Sequence, residues 1–198
     1  MEGKLICIYG INNIGKSTQV RLLADALRAK GYSVECVKYP LYDLAPSGPF
    51  INTVLRGSDK QDISEEELQM WYTVNRFQYQ PNLQKMLDDG RIVIAEDYIG
   101  TGLAWGSAKG APLDWLQHIN APLIREDFAI LLDGERFTKA TEAHHIHEQN
   151  DALMKLCRRI HQELGQIFGW HMVNANQGQD VIAREIESLV TSFLGKAS

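Results

Sequence analysis

One octapeptide near the N-terminus restricts this chain more than any other feature: Gly10-Ile11-Asn12-Asn13-Ile14-Gly15-Lys16-Ser17 matches the spacing G-x-x-x-x-G-K-[ST]. A nearly continuous apolar run, Leu5 to Tyr9, precedes it and suits a strand buried on both faces. Behind it Val20, Leu23, Ala24 and Leu27 recur at helical spacing until Gly31 stops the pattern. Strand, glycine loop and helix in that order aim successive backbone N–H groups at one phosphate chain. Gly10 and Gly15 allow close backbone approach, with Asn12, Asn13 and Thr18 around them; Lys16 can bridge β- and γ-phosphates, and the Ser17 hydroxyl can coordinate Mg²⁺. A chance match in a chain this long has a probability of about one per cent. The competing reading is a plain glycine turn; the favoured one is nucleoside-triphosphate binding.

The remaining sequence alternates in the same way. Further strands are expected at Ser33–Lys38, Arg91–Ala95, Phe128–Leu132 and Trp170–Val173, with helices around Pro112–Asn120, Asp151–Phe168 and Val181–Leu194. Tyr39-Pro40 and Ala45-Pro46-Ser47-Gly48-Pro49 mark a long loop. Ser64-Glu65-Glu66-Glu67 is a capping-box pattern opening a long helix towards Asp89, in which Pro81 predicts a kink or break near Gln80. No repeat or linker divides the chain, so residues 1–198 read as a single α/β domain with helices on both faces of a mainly parallel sheet. The formal charge of -5 argues against a nucleic-acid partner. No apolar run of roughly 18 residues and no secretory leader are found, so the expectation is a cytoplasmic protein without a membrane partner. Three cysteines, Cys7, Cys36 and Cys157, lack CxxC spacing and read as reduced and partly buried, with neither a disulfide nor a zinc site.

Gly15-Lys16-Ser17-Thr18-Gln19, Tyr39-Pro40, Asn75-Arg76-Phe77, Glu96-Asp97-Tyr98, Thr101-Gly102-Leu103-Ala104-Trp105, Ser107-Ala108-Lys109 and Leu113-Asp114-Trp115 occur in an order that resembles the thymidylate kinase family over nearly the whole chain. The resemblance implies a three-layer P-loop NTPase fold with a five-stranded parallel sheet flanked by helices. It also implies transfer of the γ-phosphoryl of ATP to dTMP with Mg²⁺, and a homodimer. Carried over by position, Arg76 hydrogen-bonds the pyrimidine edge, Tyr72 stacks on the base one helical turn away, and Tyr98, Thr101 and Gly102 belong to the substrate pocket. Glu96 takes the position of a Mg²⁺-linked acid, beside Ser17.

The chain also departs from the family pattern. Asp97 stands where the family has an arginine gripping the acceptor phosphate, and Tyr42 stands where it has a second. Two such ionic hydrogen bonds are worth ~3–6 kcal/mol. Lys38, Arg56 and Lys109 are the available replacements, and Lys109 is favoured because it follows the pocket turn. Asn12 replaces an acid, and Asn13 replaces a catalytic arginine. A polar lid is expected from about 134 to 150, where Arg136, His144, His145, His147 and Glu148 lie and Lys139 is the candidate cation near ATP. Glu96 and Asp97 are candidate catalytic acids with Lys16: one holds Mg²⁺ through water, the other orients the acceptor or accepts its proton. The lost arginines leave two alternatives open, a deoxynucleoside kinase with a hydroxyl acceptor and a nucleotide-binding relative without transfer. A GTPase-like switch, suggested by Asp97-Tyr98-Ile99-Gly100, is disfavoured because no guanine-reading Asn-Lys-x-Asp segment follows.

Overall fold

The computed structural model describes residues 2–57, 62–135 and 151–196. Five strands, β1 (Lys4–Tyr9), β2 (Val34–Lys38), β3 (Ile92–Glu96), β4 (Phe128–Asp133) and β5 (His171–Asn174), form one sheet in the order β2-β3-β1-β4-β5. Every pairing is parallel. Such a sheet needs cover on both faces, which is why β1, β3 and β4 carry unbroken apolar sequence and are buried almost throughout. Helices α1 (Lys16–Ala29) and α7 (Gln179–Lys196) pack together as one layer, and α3 (Glu65–Asp88), α4 (Ile99–Ala108) and α6 (Asp151–Phe168) form the other. Among the described residues α2 (Ser47–Arg56) and α5 (Leu113–Asn120) complete the set. Apart from the main core, Ile51, Leu55 and Leu68 make a small satellite cluster between α2 and α3, with Tyr42, Trp71 and Tyr72 against it.

Register places the chemistry. Glu96 pairs with Lys38 across β2–β3 and with Ile8 across β3–β1, so the carboxyl ends of three adjacent strands finish level. Open α/β sheets take ligands at that edge.

The structure corrects three expectations. The proline- and glycine-marked stretch after Tyr42 is not all loop: Ser47 to Arg56 is α2, and Pro49 is tolerated because it lies in the first helical turn, where no intrahelical N–H is needed. The segment holding Thr101 and Gly102 is likewise a buried helix, α4, rather than a turn. Of the kink or break expected at Pro81, the break is absent: helix α3, capped by Ser64 accepting from the Glu67 amide at 3.1 Å, is continuous from Glu65 to Asp88. All three cysteines are free; Cys7 and Cys157 are buried, whereas Cys36 is exposed. Among the described residues no helix is long and apolar enough to cross a membrane.

Candidate active site

The glycine loop closes on itself. Lys16 is buried, and its Nζ donates to the carbonyls of Gly10 and Ile11, both at 2.9 Å. Gly10 (φ 144°), Asn13 (φ 60°) and Gly15 (φ 96°) turn the backbone, and Gly15 serves as the N-cap of α1 with no side-chain cap. The first amides of α1 are therefore available to an anion. The Asn13 side-chain amide nitrogen is buried and has no protein partner.

Level with this loop, the aligned strand ends assemble a polar cluster. The Ser17 hydroxyl donates to Glu96 Oε1 at 2.7 Å. The Lys38 ammonium lies 2.9 Å from the same carboxylate oxygen and 3.2 Å from the Ser17 oxygen. Asp97 follows with φ 58°, an uncommon backbone for a non-glycine residue, which turns its carboxylate back towards the loop. Its Oδ1 accepts from the Thr101 hydroxyl at 2.8 Å and lies 3.6 Å from Lys16 Nζ. Burial pushes the Asp97 carboxyl up, opposed by the positive charge of Lys16.

The far end is built from helices. Arg76 is buried, donating from one terminal nitrogen to Asn120 Oδ1 at 3.0 Å and from the other to the Tyr98 carbonyl at 2.9 Å, while Nε has no protein partner. A Cβ on Gly102 would come within 2.8 Å of that guanidinium, so α4 approaches α3 here only with glycine. Beside it Gln69 donates to Glu65 at 2.8 Å and leaves its buried carbonyl oxygen unpartnered. Lys109 is ion-paired with Glu65 at 2.8 Å. Asn75 bonds both backbone groups of Leu41 and the Ser47 hydroxyl, tying the segment after β2 to α3. That tether sets Tyr42, over whose ring the Arg56 guanidinium sits 4.4 Å from the centroid.

Both ends open into one cavity of about 580 Å³, large enough for a nucleotide-sized ligand. Of the sequence-derived site residues, Asn12, Asn13, Gly15, Lys16, Ser17, Thr18, Tyr42, Tyr72, Arg76, Glu96, Asp97, Thr101, Gly102 and Lys109 line it. Gly10 contributes its carbonyl from behind. Tyr98 differs from expectation: its side chain is fully buried, its hydroxyl donates to the Ile124 carbonyl at 3.1 Å, and only its backbone carbonyl serves the site, by holding Arg76. Lys139 and the histidine-rich stretch lie outside the described residues. Glu65, Gln69, Asn120 and Trp105 were not singled out as site residues. Their only sequence signal was helical spacing on α3 for the first two, since Glu65, Gln69, Tyr72 and Arg76 fall on one face.

Among the described residues the lining carries five cations, Lys16, Lys38, Arg56, Arg76 and Lys109, against three carboxylates, Glu65, Glu96 and Asp97. Among those residues an excess of two positive charges gathers in a chain whose net charge is -5. Among the described residues no group of three or more His, Cys, Asp and Glu side chains is placed to hold a metal ion.

A glycine loop between a central parallel strand and a helix, with a hydroxyl and a buried carboxylate at its mouth, defines a phosphate-loop nucleotide-binding protein of the α/β class. The family model for thymidylate kinase matches residues 8–186, and the chain belongs to the thymidylate kinase family. A Thermococcus onnurineus protein described as "Probable thymidylate kinase" is 32% identical over 203 residues, covering 96% of this chain and 98% of its own. Human thymidylate kinase is 26% identical over 193 residues, covering 95% of this chain and 90% of its own. The solved structure of thymidylate kinase from Candida albicans superposes with a TM-score of 0.82 at 22% identity, covering 96% of this chain and 92% of that one, and so shares the fold.

Proposed function

We propose that this protein transfers the γ-phosphoryl group of ATP to dTMP, giving ADP and dTDP. The observation that carries the reading is the single cavity running from the glycine loop to Arg76 and Tyr72, with its local surplus of positive charge. An acceptor phosphate oxygen attacks the γ-phosphorus as the bond to the β-phosphate oxygen breaks. Loop amides and Lys16 hold the phosphate chain; Lys16 exchanges its two carbonyl partners for phosphate oxygens, a ready exchange because neither carbonyl is charged. Tyr72 offers a ring face to the base, and Arg76, fixed by Asn120 and the Tyr98 carbonyl, offers a donor to a pyrimidine edge. Asp97, already facing Lys16 and Thr101, orients the reacting groups.

Ser17 and Glu96 would hold Mg²⁺. Their oxygens suit a hard cation, and the Lys38 ammonium close to both is in keeping with a place for positive charge. When bound, that ion neutralises charge on the β- and γ-phosphates. The reading includes a homodimer, supported by the exposed apolar row Met70, Val74 and Phe77 along α3, and a cytoplasmic setting, in keeping with three unpaired cysteines. Sedimentation checks the first.

An acceptor panel of dTMP, dUMP, dCMP and thymidine, monitored by ADP release, tests the activity. Turnover of dTMP above the others is expected. Turnover of thymidine but of no monophosphate would overturn the reading in favour of a hydroxyl acceptor.

A further inference from the structure

One buried acceptor on the cavity wall is left incomplete by the protein. Gln69 is 1% exposed and lines the cavity from α3, yet among the described residues nothing donates to its Oε1. Folded proteins leave few such atoms, and one on the wall of a ligand cavity points to a donor that arrives with the ligand.

Which end of the amide is left over is decided by its neighbour. Gln69 Nε2 donates to Glu65 Oε1 at 2.8 Å, and Glu65 Oε2 is ion-paired with Lys109 at 2.8 Å. An ion-paired carboxylate only accepts, so the reverse setting of the amide would put oxygen against oxygen. Gln69 is therefore fixed as an acceptor. Its Oε1 lies against the Gly102 backbone: a Cβ there would meet Gln69 Oε1 at 3.2 Å and Arg76 Nη2 at 2.8 Å. Arg76 gives two hydrogen bonds to Asn120 and the Tyr98 carbonyl, and a guanidinium has five N–H donors and no acceptor. An acceptor and a donor thus approach one point beside Gly102, which itself lines the cavity. Tyr72, whose ring would carry the base, falls between them on the same face of α3.

We infer that Gln69 Oε1 accepts from the ring N–H of the acceptor base while Arg76 donates to the adjacent carbonyl, so that the two residues select a pyrimidine imide over cytosine. This rests on the proposed kinase reading and names the residue that rejects the competing base. In thymine and uracil a carbonyl stands next to a ring N–H, which a donor and an acceptor side by side complete. Cytosine held in the same register reverses both contacts. Its amino group faces the guanidinium, and its bare ring nitrogen faces the Gln69 oxygen. A site whose buried polar groups are left unpaired by the wrong ligand discriminates more strongly than one that only lacks a contact.

The test is binding of dTMP, dUMP and dCMP to the full chain by calorimetry without ATP, so that it does not depend on turnover. The parent should bind dTMP and dUMP more tightly than dCMP. Gln69→Met keeps the length of the side chain and removes the acceptor. It should compress the preference for dTMP over dCMP by about five- to fiftyfold, the range for one hydrogen bond and the unpaired group its loss leaves. The preference for dUMP over dCMP should shrink by the same factor, because Gln69 does not meet the 5-methyl group. Gln69→Asn, which draws the amide back by one methylene, should compress both ratios less, and it carries the test if the Met variant does not fold. A purely structural role would weaken all three ligands alike and leave the ratios unmoved. Unmoved ratios in both variants overturn the proposal, and so does a parent that binds dCMP as tightly as dTMP. A parent whose Gln69-dependent preference holds for thymidine over deoxycytidine, but which phosphorylates no monophosphate, would instead overturn the activity and leave the base reading standing.

Discussion

The two ends of the cavity are built by opposite means. At the donor end the groups that meet the phosphate chain lie within one contiguous loop, where Lys16 finds its two hydrogen-bond acceptors five and six residues back, while Lys38, Glu96 and Asp97 join it from neighbouring strand ends. At the acceptor end Arg76 reaches Asn120 and Tyr98, Lys109 reaches Glu65, and Asn75 reaches Leu41, across separations of 22 to 44 residues. The first end is fixed by a backbone path, which a strand, a glycine turn and a helix specify locally. The second is fixed by side chains converging from four elements, so the loss of any one contact loosens groups far apart in the chain.

The largest expected effect separates the two ends outright. Lys16→Ala should lower kcat by about 10²–10³-fold, the usual cost of removing one preorganised charge-stabilising group. Its dTMP affinity should stay within about twofold of the parent value. Calorimetry with dTMP alone and single-turnover transfer from ATP together provide the measurement. An equal loss in both would mean that Lys16 serves the acceptor as well.

A second prediction concerns the scaffold behind the donor end. His161 on α6 is buried, with Nδ1 2.9 Å from the Cys157 carbonyl and Nε2 unpartnered, so the neutral ring fits and the charged one does not. Burial lowers its pKa to about 4 from the ordinary 6.5. Above pH 6.5 the ring is neutral whether the chain is folded or not. As pH falls from 6.5 towards 4, the unfolded chain takes up a proton that the folded protein refuses, and up to roughly 3 kcal/mol of stability is lost. Urea midpoints at pH 7 and pH 4.5 should show this fall, and His161→Gln should flatten it. An unchanged pH dependence in the variant would assign the acid sensitivity elsewhere.

Legibility in the sequence followed the same division. The strands, α1, α6 and the glycine loop could be read because apolar period and local glycine placement determine them. Helix α4 could not, since Gly100 and Gly102 look like turn residues. They are glycine for packing rather than for turning, since Trp170 and Arg76 occupy the space their side chains would need, with a Cβ at Gly100 only 2.6 Å from the indole. Helix α2 was hidden for a related reason: Pro46, Gly48 and Pro49 read as breakers, yet all fall at its cap or first turn. Arg76 was legible through its place in the Asn75-Arg76-Phe77 stretch. Asn120, which accepts from it across 44 residues, was not, because nothing local to it records the contact.

The smallest expected effect bears on the cation that sequence reasoning put forward. Lys109 lines the cavity, but its ammonium is 2.8 Å from the Glu65 carboxylate, with side-chain exposures of 18% and 14%. A pair so enclosed has its charge largely satisfied internally, and the attraction left for a second anion is that of the pair's dipole rather than of a free ammonium. Lys109→Gln should therefore change KM for dTMP by no more than about threefold, within the range of partly solvated ion pairs. Glu65→Gln sharpens the point from the other side: the amide can still accept from Gln69, while Lys109 is released from its carboxylate. KM for dTMP should then fall by a small factor, because one negative charge has been removed from the cavity lining. A tenfold rise in KM for Lys109→Gln would instead place the acceptor phosphate at the end of α4.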